Sequence, residues 1–197
     1  MKHMLDLCSG FGGASEAFAK HPQWEVTRIE KLPAFADVPH TTLGDILTWE
    51  PPSNSFDLVW ASPPCRDFSN AYNAPRARAE RRGEDYEPNM ELVERCLDLI
   101  EQIQPKSWVL ENVFGAIPFF RDEPRLGEPR QCVANFALWG NFPMLHLDPY
   151  WRHSKADEDT WSDDPLRSQR KARIPPELSQ ALLEAVSVKR LDDYPPI

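Results

Sequence analysis

The sequence predicts an α/β protein built on a doubly wound, mostly parallel sheet. Three observations lead there. Short apolar runs of strand character alternate with stretches of helical periodicity, the pattern that sets parallel strands between two layers of helices. The first strand-like run ends in a glycine-rich turn, CSGFGG at 8–13. Apolar residues recur at helical spacing in 89–104 and again in 175–186, as helices lying on a sheet require.

Taken in order, HMLDL (3–7) reads as a short buried strand, followed by that glycine turn and a helix from about Ala14 to Lys20. WEVTRIE (24–30) is a second strand, and a short strand precedes GDI (44–46). FDLVWA (56–61) is another. In 89–104, Leu92, Val93, Cys96, Leu97, Ile100 and Ile103 mark one helix face. SWVLE (107–111) reads as a strand, and VANFALWG (133–140) as a single further one. PPELSQALLEAV (175–186) opens with prolines suited to a helix start, and Leu178, Ala181, Leu182 and Ala185 share a face. The segment 66–88 has no apolar period and exceeds an ordinary connection, so it is either disordered or a functional loop. No internal repeat occurs.

At 197 residues the chain is expected to be one domain, 1–197, with room for a sizeable core. No apolar run reaches the roughly 18 residues that a membrane span needs, and MKHMLDLCSG has no signal-peptide pattern. The four cysteines, Cys8, Cys65, Cys96 and Cys132, are scattered without metal-ligand spacing. They read as reduced thiols of a cytoplasmic protein that binds no metal. A formal charge of −9 argues against a protein that coats nucleic acid. The charge is uneven, however. Arg66, Arg76, Arg78, Arg81 and Arg82 crowd 66–82, Arg167, Arg170, Lys171 and Arg173 crowd 167–173, and acid gathers in ADEDTWSDD (156–164). Each basic run is either a local binding face or a solvated loop.

In sheets of this kind ligands bind outside the carboxyl ends of the strands. Four features fall there. The turn DLCSGFGG (6–13) allows close backbone approach through Gly10, Gly12 and Gly13, although a plain strand-to-helix turn would look similar. Glu30 closes the next strand, where a carboxylate can accept ribose hydroxyls, and Asp45 stands in GDI. Each has a bland alternative as an exposed strand-end acid. Together the three describe a nucleoside-bearing cofactor lying across the strand ends. The fourth feature is DLVWASPPCRDFS (57–69), in which two prolines hold Cys65 rigidly behind a strand with arginine after it. Positive neighbours and exposure favour a thiolate, which suits a positioned nucleophile. Cys8, Cys96 and Cys132 lie in apolar patterns and are expected in the core or the cofactor wall. WVLENV (108–113) ends in Glu111 and Asn112. A partly shielded carboxyl can act as an acid beside a cysteine nucleophile, or the pair can be a simple strand cap.

DLCSGFGG, SPPCRDFS and ENV, in that order, resemble three motifs of the cytosine-C5 DNA methyltransferases. The resemblance is strongest over 3–113. EPRQCVANFALWGNFP (128–143) and ARIPPELSQALLEAV (172–186) are similar to the later strands and closing helix of compact phage and prophage members. It implies the Rossmann-like fold of class I methyltransferases and S-adenosyl-L-methionine as cofactor. Cys8, Ser9, Gly10, Phe11, Gly13, Glu30 and Asp45 would hold that cofactor, with Ile46 and Pro64 nearby. Cys65 would add to C6 of cytosine, and Glu111 would hydrogen-bond N3 and the exocyclic amine. Where family members carry a QxRxR-like stretch, this chain has EPRQCVAN, so Arg130 is the arginine expected to hold the base. The usual Gly-Asn of the closing motif is replaced by ARIPP, and only residues 144–171 lie between WGNFP and ARIPP. That span leaves no separate target-recognition domain. DNA is the expected substrate, contacted through 66–88, with sequence choice loose, made by that segment, or supplied by a separate partner. C5 methylation of free cytidine nucleotides or RNA, and a non-catalytic cofactor-binding protein, are the alternatives.

Overall fold

Residues 4–7 are buried between two helical layers because successive side chains of a strand point to opposite faces. The computed structural model describes residues 1–52, 56–148, 150–153 and 163–188, and most of the acidic stretch 156–164 lies outside them. The chain runs β1 (Lys2–Leu7), α1 (Glu16–Ala19), β2 (Trp24–Glu30), β3 (Thr41–Leu43), β4 (Leu58–Ala61), α2 (Pro75–Arg82) and α3 (Glu91–Ile103). It continues through β5 (Ser107–Val113), α4 (Ile117–Phe120), β6 (Gln131–Val133), β7 (Phe136–Asn141), α5 (Arg167–Lys171) and α6 (Pro176–Ser187).

The strands form one sheet in the order β3-β2-β1-β4-β5-β7-β6. The first five are parallel, whereas β7 runs antiparallel to both β5 and β6. From β1 the chain winds outward to β3, then returns to place β4 on the other side of β1. That reversal makes the carboxyl ends of β1 and β4 the switch point of the sheet, the place where such sheets take ligands. Met4, Val26, Trp60 and Val109 face a core layer containing Phe18 of α1 and Leu178 and Leu182 of α6. Leu5, Ile29, Val59 and Leu110 face the opposite layer, with Val93, Cys96, Leu97 and Ile100 of α3. The doubly wound sheet expected from the alternating pattern is present.

Three expectations are corrected. The single strand expected at 133–140 is a hairpin: Val133 pairs with Phe136, and Ala134 takes a φ of 49° in the two-residue turn between β6 and β7. The segment 66–88 is ordered and carries α2, which Gly83 closes in the left-handed region at φ 67°. Its buried residues are only Ala77 and Ala79, which do not share a helix face, so no apolar period shows in PRARAERR. The helix expected from Ala14 to Lys20 is shorter, since Gly12 and Gly13 still belong to the turn and Pro22 follows closely.

Candidate active site

The glycine turn is held from beneath by β2. Residues two apart in a strand share a face, so Arg28 and Glu30 both reach the turn. Glu30 Oε2 accepts the Gly10 amide at 2.8 Å, while Oε1 accepts the Leu32 amide at 2.9 Å. Arg28 donates from Nη2 to the Gly12 carbonyl at 3.2 Å and from Nε to Ser15 Oγ at 2.8 Å. Ser15 in turn donates to Asp6 Oδ2 at 2.5 Å. Asp6, Ser15 and Arg28 are all buried, and burial pushes the Asp6 carboxyl up to about 6 against the opposing pull of Ser15 and Arg28. Gly12 needs its missing Cβ, because one built there would lie 2.5 Å from the Arg28 guanidinium.

The same turn is closed from the other side by residues 174–179. A Cβ at Gly13 would lie 2.2 Å from the Ile174 carbonyl oxygen. Ser179 of α6 donates to the Ala14 carbonyl at 2.7 Å and accepts the Ala17 amide at 3.1 Å. The ARIPP stretch therefore returns to the glycine turn despite its departure from the usual motif. Phe11 packs edge-on to Phe35 at 4.8 Å, and the Arg170 guanidinium lies 5.1 Å from the Phe11 ring centre.

The free side of the turn suits a ligand. Gly10, at φ 51°, opens onto empty space, and Ser9 Oγ is buried with no hydrogen-bond partner among the described residues. The Gly44 amide donates to the Glu30 carbonyl at 2.9 Å, which brings GDI beside Glu30. Asp45 is paired with Lys31 at 2.7 Å, and that contact holds its carboxyl below the usual range. Ile46 is buried beneath. Polar acceptors, an orphaned hydroxyl and an open glycine fit a nucleoside-bearing group.

Cys8 adopts φ 57° within the turn, and the neighbouring Cys96 thiol together with burial pushes its own thiol well up. A thiol held protonated in this way is a poor nucleophile. Cys132 departs from expectation: it is exposed on the edge strand β6.

Cys65 stands beyond the carboxyl end of β4, and Glu111 lies on the neighbouring strand β5 just past the level at which β4 stops, two residues before β5 itself ends. Ala61 of β4 pairs with Leu110 of β5, so Glu111 begins where β4 ends, and Pro63, Pro64 and Cys65 follow. Cys65 is half-buried and opens a 3₁₀ turn, while Pro64 is exposed. Glu111 is buried. Asn112, fully buried, ties the two segments: its Nδ2 donates to the Pro63 carbonyl at 3.0 Å.

Arg130 is not brought to this edge. Its Nε donates to the Phe142 carbonyl at 2.7 Å, and Phe142 follows Asn141, which pairs with Trp108 near the start of β5. The hydrogen bond thus takes its guanidinium to the opposite end of the parallel strands. Of the basic residues in 66–82, Arg66, Arg78, Arg81 and Arg82 are exposed, and Arg81 lies 3.9 Å from the ring centre of the exposed Tyr72. Arg28, Ser15 and Ser179 escaped sequence reasoning. An arginine following Trp24 and Val26 on the inner face of WEVTRIE was the available signal for the first.

With this geometry in place, comparison with known proteins becomes decisive. Residues 2–119 match the family model for the C-5 cytosine-specific DNA methylases, a stretch that contains the glycine turn, Glu30, Asp45, Cys65 and Glu111. The chain belongs to this family. It is 30% identical over 118 residues to a Frog virus 3 (isolate Goorha) protein named "Probable DNA (cytosine-5)-methyltransferase". That match covers 55% of this chain and 52% of the relative, so the chain spans about half the length of the curated relative it matches. Among solved structures, a prophage-encoded DNA modification methyltransferase of E. coli is similar at 20% identity, covering 59% of this chain and 33% of that one, with a TM-score of 0.42. A tRNA (uracil-54, C5)-methyltransferase of Pyrococcus abyssi is similar at 17% identity, covering 71% and 34%, with the same TM-score of 0.42. Family membership rests on the match over 2–119, not on these partial likenesses. Among the described residues no group of acidic, histidine or cysteine side chains could hold a metal, and no helix is long and apolar enough to cross a membrane.

Proposed function

We propose that residues 1–197 act as one catalytic domain that methylates C5 of cytosine in DNA. The observation that supports this most is the family match, which contains the glycine turn, Glu30, Asp45, Cys65 and Glu111. S-adenosyl-L-methionine, when bound, supplies the methyl group. Cys8, Ser9, Gly10, Phe11 and Gly13 form its seat, with Ile46 and Pro64 nearby. Glu30 accepts the ribose hydroxyls on lone pairs that the Gly10 and Leu32 amides leave over, and Asp45 lies toward the adenine.

The chain's own chemistry starts with Cys65. Its thiolate adds to C6 of the ring, and the displaced electron pair gives C5 the enamine character it otherwise lacks. Glu111 stabilises the charge developing at N3 and holds the exocyclic amine. C5 takes the methyl group, a base removes the C5 proton, and Cys65 leaves as thiolate to restore the ring. The two prolines fix the thiol where C6 must come, and Asn112 fastens their backbone to the glutamate strand. In duplex DNA the cytosine must leave the stack to be reached. With Arg130 engaged at Phe142, no arginine of the described residues is assigned to the base carbonyl. Sequence choice falls to segment 66–88 or to a separate partner.

Expression in a host that makes no 5-methylcytosine, followed by nucleoside mass spectrometry, tests this. 5-Methylcytosine in DNA, absent from the Cys65→Ser culture, is the expected result. Its appearance in RNA or the nucleotide pool would replace DNA as substrate, and its absence from all three fractions would leave a non-catalytic cofactor-binding protein.

A further inference from the structure

Arg76 is the one arginine of 66–82 that is not exposed. Its side chain is only 20% exposed. Nη1 donates to the Gly115 carbonyl at 2.8 Å, Nε bonds Glu80 at 2.9 Å, and the guanidinium carbon lies 5.1 Å from the Phe119 ring centre. Gly115 stands four residues beyond Glu111, in the turn that follows β5. The backbone of that turn touches the cysteine segment directly, since a Cβ at Gly115 would lie 2.1 Å from the Phe68 carbonyl oxygen. Phe68 is itself buried against Phe119 and Phe120.

Cys65 thus lies between two attachments to the strand that carries Glu111. Before it, Pro63 is held by Asn112; after it, Phe68 rests on Gly115, and Arg76 clasps the same carbonyl-bearing turn. We propose that Arg76 is a positioning residue, fastening the segment after Cys65 to the Gly115 turn so that thiol and carboxyl meet one ring in fixed register. The inference rests on Cys65 and Glu111 being the reacting pair. It removes Arg76 from the group available for phosphate contact and leaves Arg66, Arg78, Arg81 and Arg82 for that role.

The test compares the intact wild-type chain with Arg76→Ala, Arg76→Lys and Gly115→Ala. The rate of covalent adduct formation is followed at saturating 5-fluorocytosine-substituted DNA with S-adenosylmethionine. Binding of S-adenosylhomocysteine by calorimetry, the salt dependence of DNA binding, and the rate of Cys65 alkylation by iodoacetamide are measured in parallel. Loss of register on the ångström scale costs on the order of 100-fold in rate. Arg76→Ala is expected to slow the adduct by about 10- to 100-fold and to speed alkylation, with cofactor-product affinity and the salt slope unchanged. Gly115→Ala should act in the same direction, and Arg76→Lys, which retains a donor for the Gly115 carbonyl, should recover part of the rate. A wild-type adduct rate in Arg76→Ala overturns the proposal. So does a loss confined to DNA affinity with a slope flattened by about 0.9, the mark of a phosphate contact. Failure of the wild type itself to form any adduct instead overturns the roles given to Cys65 and Glu111, and the positioning role with them.

Discussion

Asp6 and Arg28 stand directly opposite each other on β1 and β2, and the Ser15 hydroxyl joins them. Buried ionic groups are costly unless every polar atom finds a partner. Here the Arg28 guanidinium spends its donors on Ser15, the Gly12 carbonyl and the Pro39 carbonyl. The pair therefore supports the glycine turn, and its ionisation is linked to stability.

A carboxyl pushed up from 3.8 to about 6 holds its proton more tightly in the folded chain than in the unfolded one. Asp6 thus favours the native state fully below pH 3.8, and that advantage is lost as pH rises through about 6. Asn at this position removes the titration. Chemical denaturation between pH 4 and 7 should show the wild type losing up to about 3 kcal/mol relative to Asp6→Asn. Parallel curves for the two proteins would mean that Asp6 ionises as it does in the unfolded chain.

Glu30 meets two backbone amides, which separates its substitutions by chemistry rather than size. Glu30→Ala should abolish most of the rise in melting temperature that S-adenosylhomocysteine gives the wild type, a rise expected of any ligand that binds only the native state. Glu30→Gln should do nearly as badly, because its amide must turn a donor toward one of the two N–H groups. A full thermal shift in either variant would remove Glu30 from the cofactor site.

Asn112 fills a buried position whose donor faces a carbonyl. Asn112→Asp would confront the Pro63 oxygen with another acceptor and bury a carboxyl whose one donor is the Val113 amide, while Asn112→Ala would remove the donor to that oxygen. The alanine variant should lose about 1–3 kcal/mol in urea denaturation. The aspartate variant should lose more, and the gap should narrow at acid pH as the new carboxyl takes up a proton. Equal stabilities of wild type and alanine variant would show that the contact contributes nothing.

Arg78, Arg81 and Arg82 are exposed on or at the end of α2, beside the segment that carries Cys65. Replacing all three with glutamine should weaken DNA binding about equally on unrelated sequences. Each lost phosphate contact should flatten the plot of log affinity against log salt by about 0.9 for duplex DNA. Free dCMP turned over at a salt-independent rate, with no effect of the triple substitution, would favour a nucleotide substrate instead.

The strands were legible where apolar residues bordered a sharp change in chemistry. WEVTRIE coincides with β2 end to end, and the spacing of Val93, Cys96, Leu97 and Ile100 gave α3 its buried face. Elements held by something other than large apolar side chains were not legible. The buried residues of α2 are two alanines on different sides of the helix, and the β6–β7 hairpin turns on an alanine at positive φ, a conformation that alanine does not announce. At the site, the glycine turn and Cys65 stood out in the sequence because each follows an apolar strand, and Glu111 because its charge interrupts one. Arg28 and Ser179 were not, since their roles depend on contacts 16 and 165 residues away in sequence. Arg130 shows the converse: its place in EPRQCVAN suggested the site, but the carbonyl it serves lies at the far end of β5.

The contact between Gly13 and the Ile174 carbonyl has a consequence for how the protein is born. A ribosome that has released the first 120 residues has already issued β1 to β5 and both proposed reacting side chains. The seat for Gly13 and the Ser179 hydroxyl that steadies α1 are still to be synthesised. A nascent chain therefore owns its thiol well before its proposed cofactor cradle is finished, and a helix made more than 150 residues later completes the first turn that was made.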